Sequence, residues 1–283
     1  MSHQDNWVQL QQDKLTGIET FRAHFKGHAY DPHWHDTYLI GFTEQGVQQF
    51  NCRKTMCTSL EGGSFVLEPG EIHDGNAPSE GGFTYRQLYI PVDFLHNNLA
   101  ALFHDLPDHF EFSTAQNLMQ DKALTASISA AFSALHYREP EIIREACLDQ
   151  MLVQVSRHLS WRQKMEQDVL LSQTSMCPLA LRTREYLRDN LYQDINLETL
   201  AQALGTDRFR LTRRFKAAFG LAPHAYLIQL RLAKARTLLA QGISPISVAS
   251  DLCFSDQSHL GRWFRRAYRL TPSAYQKQIS QSF

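Results

Sequence analysis

The sequence predicts a two-domain α+β protein, with a β-barrel and following helices in the first part and only helices in the second. Three observations predict this. Short alternating stretches fill residues 20–90, helical periodicity begins near residue 92, and a segment repeats itself between residues 200 and 275. The 283 residues are enough for two domains of ordinary size. Hydrophobic residues make up 43% and charged residues 20%, which is typical of a globular protein.

Alternation of apolar and polar residues marks the strands of the first part. It occurs in TYLIGFTEQGVQQFNCR and in GGSFVLEPGEIHDG, which turn residues separate, and again in GGFTYRQLYIP, which ends at Pro91. Several short strands at close spacing are typical of a β-barrel or a β-sandwich.

Two helical stretches follow the strands. NLMQDKALTASISAAFSALHY is rich in Ala and Leu, and EPEIIREACLDQMLVQVSRHLSWRQK carries apolar residues at helical spacing. We expect these helices, within residues 114–164, to cover the strands or to pair with a second copy of the chain. The polar segment 165–178, which ends at Pro178, is predicted to be a linker. The predicted domains are therefore residues 1–164 and 179–283.

The net charge of −1 conceals a difference between the two parts. Before Pro178 there are 12 Lys and Arg against 22 Asp and Glu, a net charge of −10. From Pro178 onward there are 16 against 7, a net charge of +9. An acidic half followed by a basic half suggests that the second half alone binds a polyanion.

The basic part contains a duplication. LAQALGTDRFRLTRRFKAAFGLAPHAY matches VASDLCFSDQSHLGRWFRRAYRLTPSAY at an offset of 48 residues, which becomes 49 after the turn. Each copy predicts a helix, a turn and a second helix. Asn196 is expected to cap the first helix of the first copy. Thr206 or Asp207 is expected to cap its second helix, and Ser255 or Asp256 the equivalent helix of the second copy.

Each second helix has one apolar face, with residues spaced by four, and one polar face. Arg can bond guanine through two hydrogen bonds, Gln can do the same for adenine, and Ser and Thr bond either base. The predicted base contacts are Arg208, Arg210, Thr212 and Arg213 in the first copy, and Gln257, Ser258, His259 and Arg262 in the second. The predicted phosphate contacts are Lys216, Arg265, Arg266 and Arg269. The alternative, a solvated polar face, is weakened by the repetition of two basic units.

These residues resemble the DNA-binding domain of AraC-type transcription regulators, most closely in ISVASDLCFSDQSHLGRWFRRAYRLTPSAY. The resemblance covers about the last hundred residues. It implies seven helices, with two helix-turn-helix units in consecutive major grooves of double-stranded DNA, and it adds Phe209 to the base-reading residues. Two positions depart from the expected pattern. Gly261 stands where the family often has a polar side chain, and Arg269 replaces the glycine expected from the first copy.

The first 165 or so residues more loosely resemble the regulatory domain of the same family, a cupin-like β-barrel followed by dimerising helices. The first cupin motif, G-x5-H-x-H with a Glu shortly after, is matched by Gly27, His33 and His35. The Glu itself is absent, since Leu39 and Ile40 lie in its expected place. The second motif is matched, one residue short, by Gly63, Pro69, Gly70, His73 and Asn76.

Three interpretations are open for His33, His35 and His73. They line a small-molecule pocket together with Tyr38 and Tyr85, they are satisfied interior residues, or they bind a metal with an open fourth position, as in catalytic zinc sites. The missing carboxylate makes the metal the weakest of the three. Glu44 lies too far along the chain to replace it.

The resemblance predicts a homodimeric transcription regulator that a small-molecule effector controls, with no cofactor. The alternatives are a metal-dependent cupin enzyme or metal sensor fused to a DNA-binding domain, and a constitutive DNA-binding protein. The sequence has no nucleophile elbow, P-loop or HExxH motif, so no enzymatic activity is expected. Scattered cysteines, a polar N-terminus and the lack of a long apolar run predict a cytoplasmic protein without a membrane span.

Overall fold

The computed structural model describes residues 6–53, 55–100, 110–163 and 177–280. The chain divides into two compact units, residues 1–164 with 278–283 and residues 165–277. The predicted linker, residues 165–178, lies outside the described residues as far as residue 176. None of the described helices has the length and the apolar composition that a membrane span requires.

Twelve strands are described in the first unit, and five of them overlap the three alternating stretches of the sequence. Two others, Leu118–Met119 and Leu159–Gln163, correct the prediction, because they lie within the two stretches that were predicted to be helical. The twelve strands are β1 (Trp7–Gln12), β2 (Glu19–Phe25), β3 (His28–His33), β4 (Tyr38–Gly46), β5 (Gln48–Cys52), β6 (Thr55–Ser59), β7 (Ser64–Leu67), β8 (His73–Asn76), β9 (Phe83–Ile90), β10 (Phe110–Thr114), β11 (Leu118–Met119) and β12 (Leu159–Gln163).

The strands form two main antiparallel sheets. One has six strands in the order β1-β2-β9-β4-β7-β11, the other has four in the order β3-β8-β5-β6, and β10 pairs with β12. The predicted α+β class, with a strand-rich first part, is confirmed. The described strands do not close into a barrel, however, because the hydrogen-bonded ladders stop at β1 and β11 in one sheet and at β3 and β6 in the other.

Among the described residues, three helices lie between the later strands of the first unit: α1 (Val92–Ala100) between β9 and β10, and α2 (Lys122–His136) and α3 (Glu141–Ser156) between β11 and β12. The helix α2 begins where Asp121 accepts hydrogen bonds from the backbone N–H groups of the first turn. Ile40 and Phe42 of β4 pack into one buried core with Phe132 and Leu152 of the helices. Because side chains alternate along a strand, Leu39 faces the opposite side of the sheet, toward the four-stranded sheet.

The second unit is helical throughout its described residues, as predicted. From residue 177 onward there are seven helices: α4 (Pro178–Asp189), α5 (Leu197–Ala203), α6 (Arg208–Phe219), α7 (Pro223–Ala240), α8 (Pro245–Asp251), α9 (Gln257–Tyr268) and α10 (Pro272–Ser280).

The duplication is visible as equivalent helices, with α5 and α6 matching α8 and α9. Asn196 caps α5, Asp207 caps α6 and Asp256 caps α9, each through a side-chain oxygen that accepts from backbone N–H groups of the first turn. These caps confirm the predicted helix starts. The apolar faces are buried through Leu211 and Phe215 in α6 and through Leu260, Phe264 and Tyr268 in α9.

Candidate DNA-binding surface and effector cavity

The helices α6 and α9 expose most of the residues predicted to contact DNA. The exposed members are Arg208, Phe209, Arg210, Arg213 and Lys216 on α6, and Gln257, Ser258, Arg262, Arg265 and Arg266 on α9. The apolar ring of Phe209 is 73% exposed, with the guanidinium of Arg208 at 4.8 Å from its centroid. These side chains therefore stand on the solvent side of each helix, where a duplex can reach them.

Both helices carry only positive charge along their length. Neither contains Asp or Glu between its caps. Hydrogen bonds from the backbone N–H groups of Arg210 and Phe209 lower the pKa of the capping Asp207, so this carboxylate stays ionised at the helix N-terminus. A surface of this kind binds phosphates by releasing their counterions, so its affinity for DNA depends on salt.

Two predicted base-contacting residues, Thr212 and His259, are only partly exposed on this surface. Thr212 is half-buried, and its hydroxyl oxygen is buried without a hydrogen-bond partner among the described residues. His259 is bonded inside its own unit, since the Trp263 indole N–H donates to Nε2 at 2.8 Å. Its other ring nitrogen, Nδ1, lies 3.1 Å from the Ser255 hydroxyl and 3.4 Å from the backbone N–H of Ser255. A base contact by His259 has to replace one of these bonds.

The sequence pattern gave no indication of Arg231, a buried side chain in the middle of α7. Its guanidinium donates to the carbonyl oxygens of Leu191 at 3.2 Å, Gln193 at 2.6 Å and Cys253 at 3.3 Å. The first two carbonyls precede α5, and the third follows α8. Burial lowers the pKa of Arg231 below its ordinary value. One side chain therefore ties the two repeats to the helix between them.

A small cavity of about 30 Å³ lies between the two main sheets of the first unit. Four predicted effector residues line it: His33, His35, His73 and Tyr85. The Tyr85 hydroxyl lies 2.7 Å from the hydroxyl of Tyr30. The rest of the wall consists of aromatic and aliphatic side chains with further polar groups from Gln48, Asp74 and Gln87. Tyr30, Gln48 and Gln87 were missed from the sequence, because the pairing of the strands brings them there.

The fifth predicted effector residue, Tyr38, does not line this cavity. Its ring lies in the core on the helical face of the sheet, and its hydroxyl donates to the carbonyl oxygen of Phe112 at 2.9 Å. The prediction was wrong because it assigned no face to the residues of β4. Leu39, the next residue, is the one that reaches the cavity.

The three histidines of the cavity are buried and close together. His33 and His73 are direct partners across β3 and β8. One ring nitrogen from each of His33, His35 and His73 lies within 4.8 Å of the others. Nδ1 of His33 is 2.8 Å from the carbonyl oxygen of Asp31, and Nδ1 of His73 is 2.9 Å from that of Glu71. Burial lowers the pKa of His73, which favours its neutral form.

Carboxylates near the cavity are engaged with other groups. Glu44, the acid that follows the histidines in the sequence, is bonded to Arg22 and Arg86. Asp74 accepts from the backbone and side chain of Asn51. Leu39 lines the cavity in the region where the cupin pattern expects a Glu. The three histidines therefore share this wall of the cavity with Leu39, and the carboxylates of Glu44 and Asp74 are bonded to other groups.

Two family models match the chain. The model of the AraC-like ligand binding domain matches residues 15–153, and a helix-turn-helix domain model matches residues 200–278. Together they cover well over half of the chain, one in each part. The chain belongs to the AraC-type family of transcription regulators. The predicted family, and the order of its two domains, are therefore confirmed.

Relatives of this regulator match along most of their length. It is 26% identical over 253 residues to the HTH-type transcriptional regulator YbfI of Bacillus subtilis, covering 89% of this chain and 88% of that protein. It is 26% identical over 265 residues to the HTH-type transcriptional activator RhaS of Pectobacterium atrosepticum, covering 88% of each. The crystal structure of ToxT from Vibrio cholerae has a similar fold, with a TM-score of 0.55, 12% identity and coverage of 98% of this chain and 97% of that one.

Proposed function

We propose that this regulator binds specific sites in double-stranded DNA through α6 and α9, and that a small-molecule effector in the first unit sets its activity. The observation that carries the proposal is the pair of exposed, basic helices at equivalent positions of the repeat. We assign residues 1–164 to effector binding and dimerisation and residues 179–283 to DNA binding. The chain acts by binding and not by catalysis, like the relatives named as transcription regulators.

The length of the helix that connects α6 to the second helix-turn-helix unit supports contact with consecutive major grooves. This helix, α7, has 18 residues, which corresponds to roughly 27 Å. Equivalent groove segments on one face of a duplex lie about 34 Å apart. We propose that Arg213 and Arg262 contact bases, and that Lys216, Arg265 and Arg266 contact phosphates.

The surface of α3 supports a homodimer. This helix packs its Leu148 and Met151 into the core, while Ile142 is 75% exposed, Ile143 43% and Val153 41%. Apolar side chains along the outer face of an amphipathic helix gain free energy when a second copy covers them. We propose that two chains pair through this face.

Effector binding is assigned to the cavity between the sheets. It combines apolar walls with converging polar groups, which is typical of small-molecule sites. A relative in fold, ToxT, has been solved with an unsaturated fatty acid bound. At 30 Å³ the cavity of this chain holds a ligand of a few atoms at most, so a larger effector has to enlarge it.

Selection from a pool of random duplexes tests the DNA-binding part of the proposal. The full chain is expected to enrich two short motifs about 10 base pairs apart. The double variant Arg213→Ala/Arg262→Ala serves as the matched control and is expected to lose the enrichment while it keeps salt-dependent binding. Tight binding without any enriched motif contradicts the proposal.

A thermal-shift screen with small metabolites tests the effector. A ligand present at 100-fold its Kd is expected to stabilise the first unit by about 2.7 kcal/mol. The hit is then titrated against the complex with the selected DNA. An effector that stabilises the protein without changing its affinity for DNA contradicts the regulatory part of the proposal.

A further inference from the structure

We propose that Trp263 is a positioning residue for DNA recognition by the second helix-turn-helix unit. It holds the imidazole of His259 toward a base edge and the guanidinium of Arg266 toward a phosphate. The inference deepens the proposed function and rests on it for the two DNA contacts. The contacts that Trp263 makes within the protein are tested without DNA.

Trp263 lies half-buried in α9, between the two residues that it positions. His259 precedes it by four residues and Arg266 follows it by three, and side chains at these spacings are neighbours on a helix surface. Arg262, the exposed residue next to Trp263 in the chain, lies between them on the same face. The predicted contacts of this helix with bases and with phosphate therefore form one face, with the indole at its edge.

The edge of the indole holds His259. The N–H of Trp263 donates to Nε2 of His259 at 2.8 Å, and Nδ1 lies 3.1 Å from the hydroxyl of Ser255. The backbone N–H of His259 donates to the carboxylate of the capping Asp256 at 2.6 Å. Contacts at both ring nitrogens restrict the rotation of the imidazole. A base contact through Nδ1 replaces only the contact with Ser255, while the bond from Trp263 keeps the ring in place.

The face of the indole holds Arg266. The guanidinium carbon lies 5.1 Å from the ring centroid, which is within the range of a cation–π contact. A long arginine side chain loses rotamer freedom when it binds a phosphate, and this loss weakens binding. Because the guanidinium already stacks on the ring, part of the loss occurs before DNA arrives. A cation–π contact at an exposed site corresponds to a change in affinity of about 2–5-fold.

The first helix-turn-helix unit lacks this arrangement. Its three equivalent positions carry Arg210, Arg214 and Ala217. Two arginines four residues apart on a helix repel each other, and alanine has no charge for a ring to hold. The effect on base preference is thus confined to the half of the DNA site that α9 contacts. The half that α6 contacts serves as an internal reference.

Nuclear magnetic resonance of the indole N–H groups tests the contact between Trp263 and His259 in the full chain without DNA. The chain has four tryptophans, and the resonance of Trp263 is the one that Trp263→Phe removes. His259→Phe keeps a ring but has no acceptor nitrogen, so it is expected to move this proton resonance upfield. His28→Phe, at an exposed histidine of the first unit, is the matched control and is expected to leave it in place. An unchanged resonance in His259→Phe overturns the proposal.

Affinities for the selected DNA site and its single-base variants test the role of Trp263 in recognition. Trp263→Phe keeps a ring for Arg266 but has no N–H. It is expected to lose about 2–10-fold of the preference at one base position of the half that α9 contacts, which corresponds to one hydrogen bond. Trp263→Leu also lacks the ring and is expected to weaken binding to all sequences by a further 2–5-fold or so. This further loss is expected to vanish when both proteins carry Arg266→Ala.

Far-ultraviolet circular dichroism establishes that each variant is folded. Full base preference in Trp263→Phe overturns the proposal, as does equal loss of preference in both halves of the site. A general loss in Trp263→Leu that persists in the Arg266→Ala background overturns the part that concerns Arg266. A wild-type chain that enriches no DNA motif contradicts the proposed function. Specific DNA binding that both Trp263 variants retain unchanged contradicts this inference alone.

Discussion

The two helix-turn-helix units of this regulator share a backbone but differ in the residues that build it. The helices α6 and α9 both have 12 residues, and both are capped by an Asp. The first helix-turn-helix unit places glycines in the left-handed region, Gly205 at φ 63° and Gly220 at φ 74°. At the equivalent positions the second helix-turn-helix unit has Cys253 at φ 53° and Arg269 at φ 57°. The left-handed turns are thus required by the packing of the repeat, which imposes them on residues that disfavour them.

The same comparison separates two kinds of DNA contact. The outer face of α6 carries four arginines and a lysine, whereas the start of α9 carries the neutral Gln257 and Ser258, with its arginines further along. Thr212 in the first unit is replaced by Gly261 in the second, and Ala217 by Arg266. We infer that the first helix-turn-helix unit contributes more positive charge at the N-terminal turn of α6. The second helix-turn-helix unit contributes more neutral hydrogen bonding to base edges at the start of α9.

The largest expected effect comes from Arg231, which both repeats share. Arg231→Ala is expected to lower the free energy of unfolding of the second unit by about 3–5 kcal/mol, because three backbone carbonyls lose a charged donor and a cavity remains where the buried side chain stood. Chemical denaturation followed by circular dichroism measures this change.

Thr237→Ala, on the exposed side of the same helix, is the matched control and is expected to change stability by less than about 0.5 kcal/mol. Arg231→Lys keeps the charge but presents fewer fixed donors, so its loss is expected to lie between the two. A loss below 1 kcal/mol for Arg231→Ala contradicts the role of this side chain as the link between the repeats.

Next in size are the equivalent residues Arg213 and Arg262, which test whether both units read bases. Each substitution to Ala is expected to cost about 1–3 kcal/mol on the selected site and to relax preference at one base position, in a different half of the site for each variant. Affinities for the selected site and for single-base variants measure both effects. Arg213→Lys keeps the charge without the paired hydrogen bonds. Recovery of full specificity by this variant contradicts base reading by Arg213.

Arg266 has no basic counterpart in the first helix-turn-helix unit, and its substitution tests the contribution of phosphate contacts. Its guanidinium lies 5.1 Å from the centroid of the Trp263 ring. Arg266→Ala is expected to weaken binding to all sequences alike and to reduce the slope of log affinity against log salt by about 1. Ala217→Arg adds the missing charge to the first helix-turn-helix unit and is expected to steepen the slope of log affinity against log salt. A specificity change without a change of slope contradicts the assignment.

Local patterns in the sequence predicted the second unit well. Helix starts depend on a few neighbouring residues, so Asn196 could be identified as a cap without any tertiary information, and Asp207 and Asp256 were each one of two adjacent candidates. Arg231 escaped prediction because its role depends on carbonyls 22 to 40 residues away along the chain.

The cavity was predicted only in part, because strand pairing decides which residues face it. His33, His35 and His73 could be grouped from their spacing and motif, but Tyr38 was grouped with them although it packs in the core on the other face of β4. Tyr30, Gln48 and Gln87 come from three different strands, and only the register of the two sheets brings them together. The cavity volume follows from packing and has no signature in the sequence.

The smallest expected effect on stability concerns a single methyl group placed at one glycine of each helix-turn-helix unit. Gly205→Ala puts a Cβ on a residue at φ 63°, and Gly261→Ala puts one inside the helix α9; in neither case does the new atom meet another within 4 Å. The new methyl groups therefore make no steric contacts, and only the backbone preference of each position determines the change in stability.

Gly205→Ala is expected to lower the stability of the helical domain, residues 165–277, by about 1 kcal/mol, since the left-handed region disfavours a Cβ. Gly261→Ala is expected to raise it by up to about 1 kcal/mol, since Ala is the better helix former. Each change corresponds to a shift of about 4 °C in the melting temperature of a domain of this size, which differential scanning calorimetry resolves. Melting temperatures that shift with the same sign in both variants contradict the view that packing imposes the left-handed turn of the first helix-turn-helix unit.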